Sequence, residues 1–265
     1  MDNTEAAFDD YALSYDSDFT HSSVGMLQRK RVWNYLEKNI SPESFPEVLE
    51  LNCGTGEDAL WFSKKGFNVT ATDLSQEMIA VAKEKMRQSN ATVFQSDIQS
   101  IHQKTGTKKF NLIFSDFGGL NCLSPEELKE VSTKFSQLLS SGGRMIFVVM
   151  GRNCKWEQFY FKRKNDLENA FRRKSIKPVE AVIFEQKFST WYYSPNEMKE
   201  LFAKEFNVNK FKPIGIALPP SYMNNYFRKH PTRLKLLNAT EKILGNFSSL
   251  SDKADHYIID FTLKQ

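Results

Sequence analysis

Two hydrophobic periodicities alternate along this chain. Near the N-terminus Phe8, Tyr11, Ala12, Tyr15 and Phe19 recur at steps of three and four, with Asp9, Asp10, Asp16 and Asp18 between them. That spacing gathers apolar side chains on one face of a helix. A second helical stripe over 24–38 places Met26, Leu27, Val32, Trp33 and Leu36 on a buried face, and Ser41-Pro42 and Phe45-Pro46 mark a linker after it. From there short apolar runs alternate with helical stripes. Strands are predicted at Glu47–Leu51, 67–72, 91–94, Phe110–Ser115 and 144–150, and helices at 57–65, from Ser75 to Met86 and from Ser124 to about Ser140. The punctuation agrees: Gly66 follows the first of these helices, Ser75 and Ser124 are N-caps, Pro125 takes a first helical position, and Gly142-Gly143 turns the chain into the fifth strand.

Strands separated by helices predict a parallel sheet covered on both faces. After Met150 the pattern changes. Residues 151–190 mix Trp156, Phe159, Tyr160 and Phe161 with the basic runs 162–164 and 172–174, which suggests an insertion over the sheet whose basic runs are solvated faces. Two late strands at 206–213 and His256–Leu263 flank a helical segment that Leu218-Pro219-Pro220 introduces. The expected fold is α/β, a doubly wound, mostly parallel seven-stranded sheet with an antiparallel edge. The expected organisation is one domain over 1–265, with a helical cap at 1–40, a ligand-binding core at 46–150, a substrate cap at 151–200 and closing strands at 201–265.

Composition changes this picture little. The 265 residues are 40% hydrophobic and 26% charged, as in globular proteins. A net charge of +4 is too modest to suggest nucleic acid. Cys53, Cys122 and Cys154 show no CxxC spacing and the four histidines are scattered, so no metal site is expected and a reducing cytoplasm fits. The acidic start Met1-Asp2-Asn3-Thr4-Glu5 has no apolar stretch behind it, and no apolar run approaches the ~18 residues of a membrane span. The 22 phenylalanines fill a core for the most part, with some available to line an apolar pocket. Oligomeric state leaves no signal.

The candidate chemistry begins where the first strand ends, at Glu50-Leu51-Asn52-Cys53-Gly54-Thr55-Gly56. Gly54-x-Gly56-x-x-Ala59 with Asp73 fits a loose dinucleotide fingerprint. A pyrophosphate would sit on the helix N-terminus, and there Glu57 and Asp58, with Glu50 behind them, would repel it. The same carboxylates suit a cofactor bearing an ammonium and a sulfonium and no phosphate. Asp73 can accept hydrogen bonds from a ribose diol and Asp97 from an adenine amino group, with Leu74, Met78 and Ile98 against the base. Those needs are the needs of S-adenosylmethionine.

The segment 50–56, together with Asp73-Leu74-Ser75, Ser96-Asp97-Ile98 and Phe110–Ser115, resembles in order and interval the first four motifs of the class I (Rossmann-like) S-adenosylmethionine-dependent methyltransferases. Phe8-Asp9-x-Tyr11-Ala12-x-x-Tyr15-Asp16 is similar to the N-terminal cap of their small-molecule branch, which includes quinone-type methyltransferases. The resemblance covers 8–150 and, more weakly, the last two strands. It implies that Glu50 orders the glycine loop, that Asn52, Cys53, Gly54 and Gly56 face the methionine part, that Asp73 holds the ribose, and that Ser115 and Phe117 flank the sulfonium. Two departures stand out. Asn52 replaces a usual glycine, although asparagine tolerates the left-handed conformation. Ser115-Asp116-Phe117-Gly118 is not the Asn/Asp-Pro-Pro-aromatic tetrapeptide of base N-methylating enzymes, which disfavours a nucleic-acid substrate.

Tyr15 can reach the cofactor's carboxylate from the cap or simply staple the cap to the core. His21 is the histidine nearest the expected mouth and a candidate general base, against the commoner reading of a solvated loop residue. Asn121, Trp156, Phe159 and Tyr160 are candidates for lining the acceptor pocket, against ordinary packing. The expected reaction moves a methyl group to an O, N or C nucleophile of a small apolar or aromatic molecule, yielding S-adenosylhomocysteine without a metal. The alternatives are a protein or RNA methyltransferase, a non-catalytic S-adenosylmethionine-binding module, and a dehydrogenase.

Overall fold

The computed structural model describes residues 3–183 and 186–265, so Met1 and Asp2 of the acidic start and Phe184 and Glu185 of the insertion lie outside the described residues. In chain order the elements are α1 (Asn3–Tyr15), a π-helical turn (Asp16–Thr20), α2 (Ser23–Asn39), β1 (Glu47–Leu51), α3 (Glu57–Lys64), β2 (Asn68–Asp73), α4 (Gln76–Lys85), β3 (Thr92–Gln95), α5 (Ile101–Thr105), β4 (Phe110–Ser115), α6 (Pro125–Leu138) and β5 (Leu139–Met150). Then follow α7 (Lys155–Arg163), α8 (Leu167–Phe171), β6 (Val179–Ile183), β7 (Gln186–Thr190), α9 (Pro195–Phe202), β8 (Phe206–Ile214), α10 (Asn224–Lys229), α11 (Pro231–Leu244) and β9 (His256–Leu263). The caps act as expected: Ser75 accepts from the Met78 N–H at 3.0 Å, and Ser124 and Glu127 form a capping box behind Pro125.

The seven-stranded sheet has the order β3-β2-β1-β4-β5-β9-β8. β1 to β5 run parallel, and β9 enters antiparallel between β5 and the edge strand β8. The order reverses between β1 and β4, and open α/β sheets bind ligands in the crevice beyond such a reversal.

Alternation along the strands assigns each side chain to a face. Val48 packs with Val32 and Leu36 of α2 and Phe62 of α3, whereas Leu49 and Leu51 pack with Val131 and Phe135 of α6 and Phe202 of α9. Glu50, in phase with Val48, therefore turns toward α2. The same parity holds at the closing strand: Ile258 joins the α2 side, and Tyr257, Ile259 and Phe261 join the α6 side. Apolar burial on both faces, at roughly 1.5–3 kcal/mol for each large side chain, holds the layers together.

Three features depart from the sequence-based expectation. β5 starts at Leu139, ahead of the glycines, and residues 140–143 bulge out, because Phe110 pairs with Leu139 while Leu112 already pairs with Arg144. Within the insertion β6 and β7 form an antiparallel hairpin, and Phe188 meets Phe8 of α1 with ring centroids 5.5 Å apart. On α2 the buried face includes the polar Gln28 and Arg29, while Met26 and Leu27 are only half-buried. A stripe read from hydrophobicity cannot register buried polar residues whose partners are distant in sequence.

Candidate functional site

β1 delivers Glu50 to the crevice, where α2 and α3 meet it. Asp58, in the first turn of α3, is bound by the Arg29 guanidinium and by Trp33 Nε1 at 2.6 Å, both from α2. Asp116, just past β4, is buried close to the same guanidinium and accepts from the Phe117 N–H at 2.8 Å. Three carboxylates, Glu50, Asp58 and Asp116, thus share one guanidinium. Oε2 of Glu50 and Oδ2 of Asp116 are buried without a hydrogen-bond partner among the described residues. Burial foremost, then the Asp58 charge, pushes both Glu50 and Asp116 well above the usual carboxylate range against the pull of Arg29. The pocket holds more carboxyl groups than one guanidinium balances, and burial biases Glu50 and Asp116 toward their protonated forms until a further cation arrives.

The glycine turn is built beside it. Asn52 adopts φ 47°, the left-handed conformation expected of it. Its Nδ2 donates to the Asp116 carbonyl at 2.9 Å and its Oδ1 accepts from Ser115 Oγ at 2.6 Å. The side chains of Asn52 and Ser115 therefore tie the loops after β1 and β4 together, and Asn52 is left with its backbone to face a ligand. A Cβ at Gly119 would lie 2.0 Å from Asn52 Cγ, so the residue that departs from the family pattern fits only against a glycine. Gly54 (φ 53°) is open, with Tyr15 of the cap 3.8 Å from where its Cβ would be. Gly56 (φ 79°) serves packing, since its Cβ would lie 3.1 Å from Ala82 Cβ on α4.

Asp73 ends β2 and braces the turn, accepting from the Gly54 N–H at 2.8 Å and the Ser75 N–H at 3.0 Å. Each oxygen keeps a lone pair for a further donor, and burial, outweighing these hydrogen bonds, raises its pKa. Cys53 is buried in the α2-side core, with its thiol pushed well up by burial and then by the Asp73 charge. Beyond β3, half-buried Asp97 accepts from the Gln99 N–H at 3.1 Å, and Ile98 packs on the α6-side core. Met78 is buried on α4 and Leu74 half-buried beside it. Phe117 (φ 39°) sits between Phe19 of the cap, at 5.1 Å, and His256 of β9, at 5.3 Å.

The cap is latched over this turn. Asp9 accepts from Ser75 Oγ and the Glu77 N–H, both at the start of α4. Asp16 accepts from Thr55 Oγ1 at 2.6 Å and from Lys85 Nζ at 2.8 Å, and Lys85 also pairs with Glu57 at 3.2 Å. The expectation that Glu57 and Asp58 supply the site's negative charge is thereby corrected. Lys85 and Arg29 neutralise them, and the excess resides on Glu50 and Asp116, which lie behind the turn.

The acceptor candidates fare unevenly. His21 caps the π-helical turn and is exposed, with no carboxylate paired to it among the described residues. Asn121 is fully buried: it donates to the Met150 and Trp191 carbonyls and accepts from the Met150 N–H, so every polar atom of its side chain is committed to holding β5 against the insertion. Trp156 donates to the Ala217 carbonyl at 3.0 Å and packs on Phe227 of α10. With Lys155 and the exposed Phe159 it lines a cavity of about 240 Å³, while Tyr160 packs against Tyr222. A cavity of about 320 Å³ opens toward the amino ends of the strands, where Asp260 is already shared by Arg144, Tyr35 and Asn209. The basic run 172–174 is not wholly solvated either. Arg173 is buried between Glu157 and Asp255 at 2.8 and 2.9 Å, with Arg172 also on Glu157.

Fold and crevice together define a class, the α/β proteins that hold a ligand on a glycine turn at a sheet reversal. Residues 48–143 match the methyltransferase domain family. The Bacillus subtilis protein YqeM, a methyltransferase by name, is 33% identical over 40% of this chain and 44% of its own. The chain spans about half the length of the first curated relatives it matches, 45% and 44%. Demethylmenaquinone methyltransferase of Chlorobaculum tepidum is 25% identical over 78% of this chain and 81% of its own. The N-methyltransferase NodS of Bradyrhizobium japonicum, solved with S-adenosyl-L-homocysteine, shares the fold with a TM-score of 0.60 at 12% identity, over 100% of both chains. The seven-stranded fold is that of the solved S-adenosylmethionine-dependent methyltransferases, and the stretch from β1 to β5 is similar to their methyltransferase domain.

Proposed function

We propose that the chain transfers a methyl group from S-adenosylmethionine to a small-molecule nucleophile in the cytoplasm. One observation carries the cofactor assignment: the glycine turn is backed by three buried carboxyl groups, Glu50, Asp58 and Asp116, that share the single Arg29 guanidinium, with Oε2 of Glu50 and Oδ2 of Asp116 lacking a hydrogen-bond partner among the described residues. A phosphate cofactor would meet repulsion there, whereas an ammonium or sulfonium relieves an existing imbalance. In this reading Glu50 and Asp116 supply the field for the cationic part, the backbone of 52–56 and Tyr15 hold the amino-acid part, and Asp73 takes the ribose on its spare lone pairs. Asp97, Leu74, Met78 and Ile98 hold the base, and Phe117 borders the reacting end. When bound, the cofactor supplies a methyl group on a positively charged sulfur. The chain's own contribution is to hold donor and acceptor in line and to exclude water beneath the latched cap, and positioning of this kind removes much of such a barrier.

A small-molecule acceptor is supported by the demethylmenaquinone relative, whose alignment extends well beyond the domain core, and by the cap helix α1 lying against the insertion hairpin. Incubation with methyl-labelled S-adenosylmethionine and the small-molecule fraction of a cell extract should yield a labelled product and S-adenosylhomocysteine. Binding without product would favour a non-catalytic module. Asp73→Ala should weaken S-adenosylmethionine binding by about 1–3 kcal/mol in calorimetry; unchanged affinity would refute the ribose role.

A further inference from the structure

β9 enters the sheet antiparallel, so its first residue, His256, pairs with Met150 at the carboxyl end of β5. That is the end of the sheet where the glycine turn lies. His256 is in phase with Ile258 and Asp260 and so faces α2, as Glu50 does. It is 8% exposed, and its ring stands at 90° to Phe117 with centroids 5.3 Å apart. Nδ1 lies 3.1 Å from Asp255 Oδ2. Asp255 itself is fixed from three sides: Arg173 donates to Oδ1 at 2.9 Å, Gln28 of α2 donates to Oδ2 at 3.2 Å, and the Asp255 N–H donates to the Gly215 carbonyl at 3.2 Å. Gly215 must be glycine here, because at φ 77° its Cβ would lie 3.0 Å from both Asp255 Cβ and Gln28 Nε2. The approach of Nδ1 to Asp255 is an ion-pair contact without hydrogen-bond geometry, since Nδ1 is buried with no hydrogen-bond partner among the described residues. The braced carboxylate on one side and Phe117 on the other set where the ring lies, and Nε2, which has no protein partner among the described residues, is the nitrogen able to take a proton.

We infer that His256, held between Asp255 and Phe117, is the general base of the methyl transfer, and that the acceptor is an aromatic hydroxyl group. The inference rests on the methyltransferase reading above. The rings of Phe19, Phe117 and Tyr15 around the crevice suit a planar aromatic acceptor. A neutral phenol is a weak nucleophile that gains from losing its proton as it reacts. In the step, the hydroxyl proton passes to Nε2 and the oxygen electron pair forms the bond to the methyl carbon. The carbon–sulfur pair stays on sulfur, which leaves as a neutral thioether.

The test uses the full chain, methyl-labelled S-adenosylmethionine and three phenols of rising acidity: phenol, 4-cyanophenol and 4-nitrophenol. The wild type should methylate them. His256→Gln should lose roughly 10²–10⁴-fold in kcat on phenol and progressively less toward 4-nitrophenol, which reaches the enzyme already ionised. S-adenosylmethionine affinity should stay within about twofold, since a proton acceptor for the substrate is not a cofactor ligand. An equal loss on all three phenols, or none on any, overturns the base assignment. Cofactor binding with no methylated phenol from the wild type overturns the substrate class. Absence of S-adenosylmethionine binding by the wild type instead brings down the methyltransferase reading itself. Should His256→Gln fail to bind the cofactor, His256→Asn, the shorter amide, tests the same gradient, and its equal loss on all three phenols counts against the base.

Discussion

Two buried charge clusters sit on the α2 side of the carboxyl ends of the strands, and they are built on opposite principles. Around Arg173 the charges balance. Glu157 receives Arg172 and Arg173, Asp255 receives Arg173, and the insertion, α8 and β9 are joined through them. Burial by itself would raise the Asp255 carboxyl, yet His256 and Arg173 outweigh it and hold the group well below its usual range. Around Arg29 the groups do not balance: Glu50, Asp58 and Asp116 share one guanidinium, and two of their oxygens have no hydrogen-bond partner among the described residues. Buried charges are costly unless paired. The balanced cluster fits a structural role, and the unbalanced one fits a cationic ligand.

The largest effect should come from breaking the balanced cluster. Arg173→Ala leaves Glu157 and Asp255 buried with reduced compensation and should destabilise the fold by about 3–5 kcal/mol, read from the urea midpoint. A change under about 0.5 kcal/mol would show that the pairing carries no stability. Because the folded pKa of Asp255 is depressed, its contribution is present above the unfolded carboxylate pKa and is lost as pH falls through the folded value. The acid limb of the stability curve should therefore flatten in Asp255→Asn.

A smaller effect of opposite sense is expected at the unbalanced cluster. Glu50→Gln replaces a buried carboxyl group that burial already biases toward its neutral form, so the ligand-free protein should be no less stable. S-adenosylmethionine affinity should nevertheless fall by about 1–3 kcal/mol. Loss of stability together with unchanged affinity would reverse the roles of the two clusters. The smallest effect is in pH. With Glu50 and Asp116 raised above the usual carboxylate range, they ionise late, and only the ionised forms attract a cation. Cofactor affinity should strengthen as pH rises from about 5 to 8; a flat profile in calorimetry would show that neither group faces the ligand.

The strands of the core and the four motifs were legible because each is a local pattern. Alternation, N-caps and a glycine turn are written within a few residues, and the placements of β1 and β4 agree with the sequence reading to the residue. Asn52 in the left-handed region and Ser75 as an N-cap were legible for the same reason. The site's electrostatics were not. Glu57 and Asp58 look like free first-turn carboxylates until Lys85 and Arg29 arrive from elements distant in the chain. Asn121 looks like a pocket lining until Met150 and Trp191 take its polar atoms. His21 looked nearest the mouth in sequence, whereas His256, more than two hundred residues later, is brought beside Phe117 because β9 enters antiparallel next to β5.

The amino-acid sequence alone determined the class of fold and the place of the glycine turn, because backbone propensity and hydrophobic period are short-range properties. Tertiary structure alone decided which carboxylates are neutralised, which histidine stands beside Phe117 and which basic residues are buried. Charge compensation depends on distance in space, and the partners here lie on different elements of the chain.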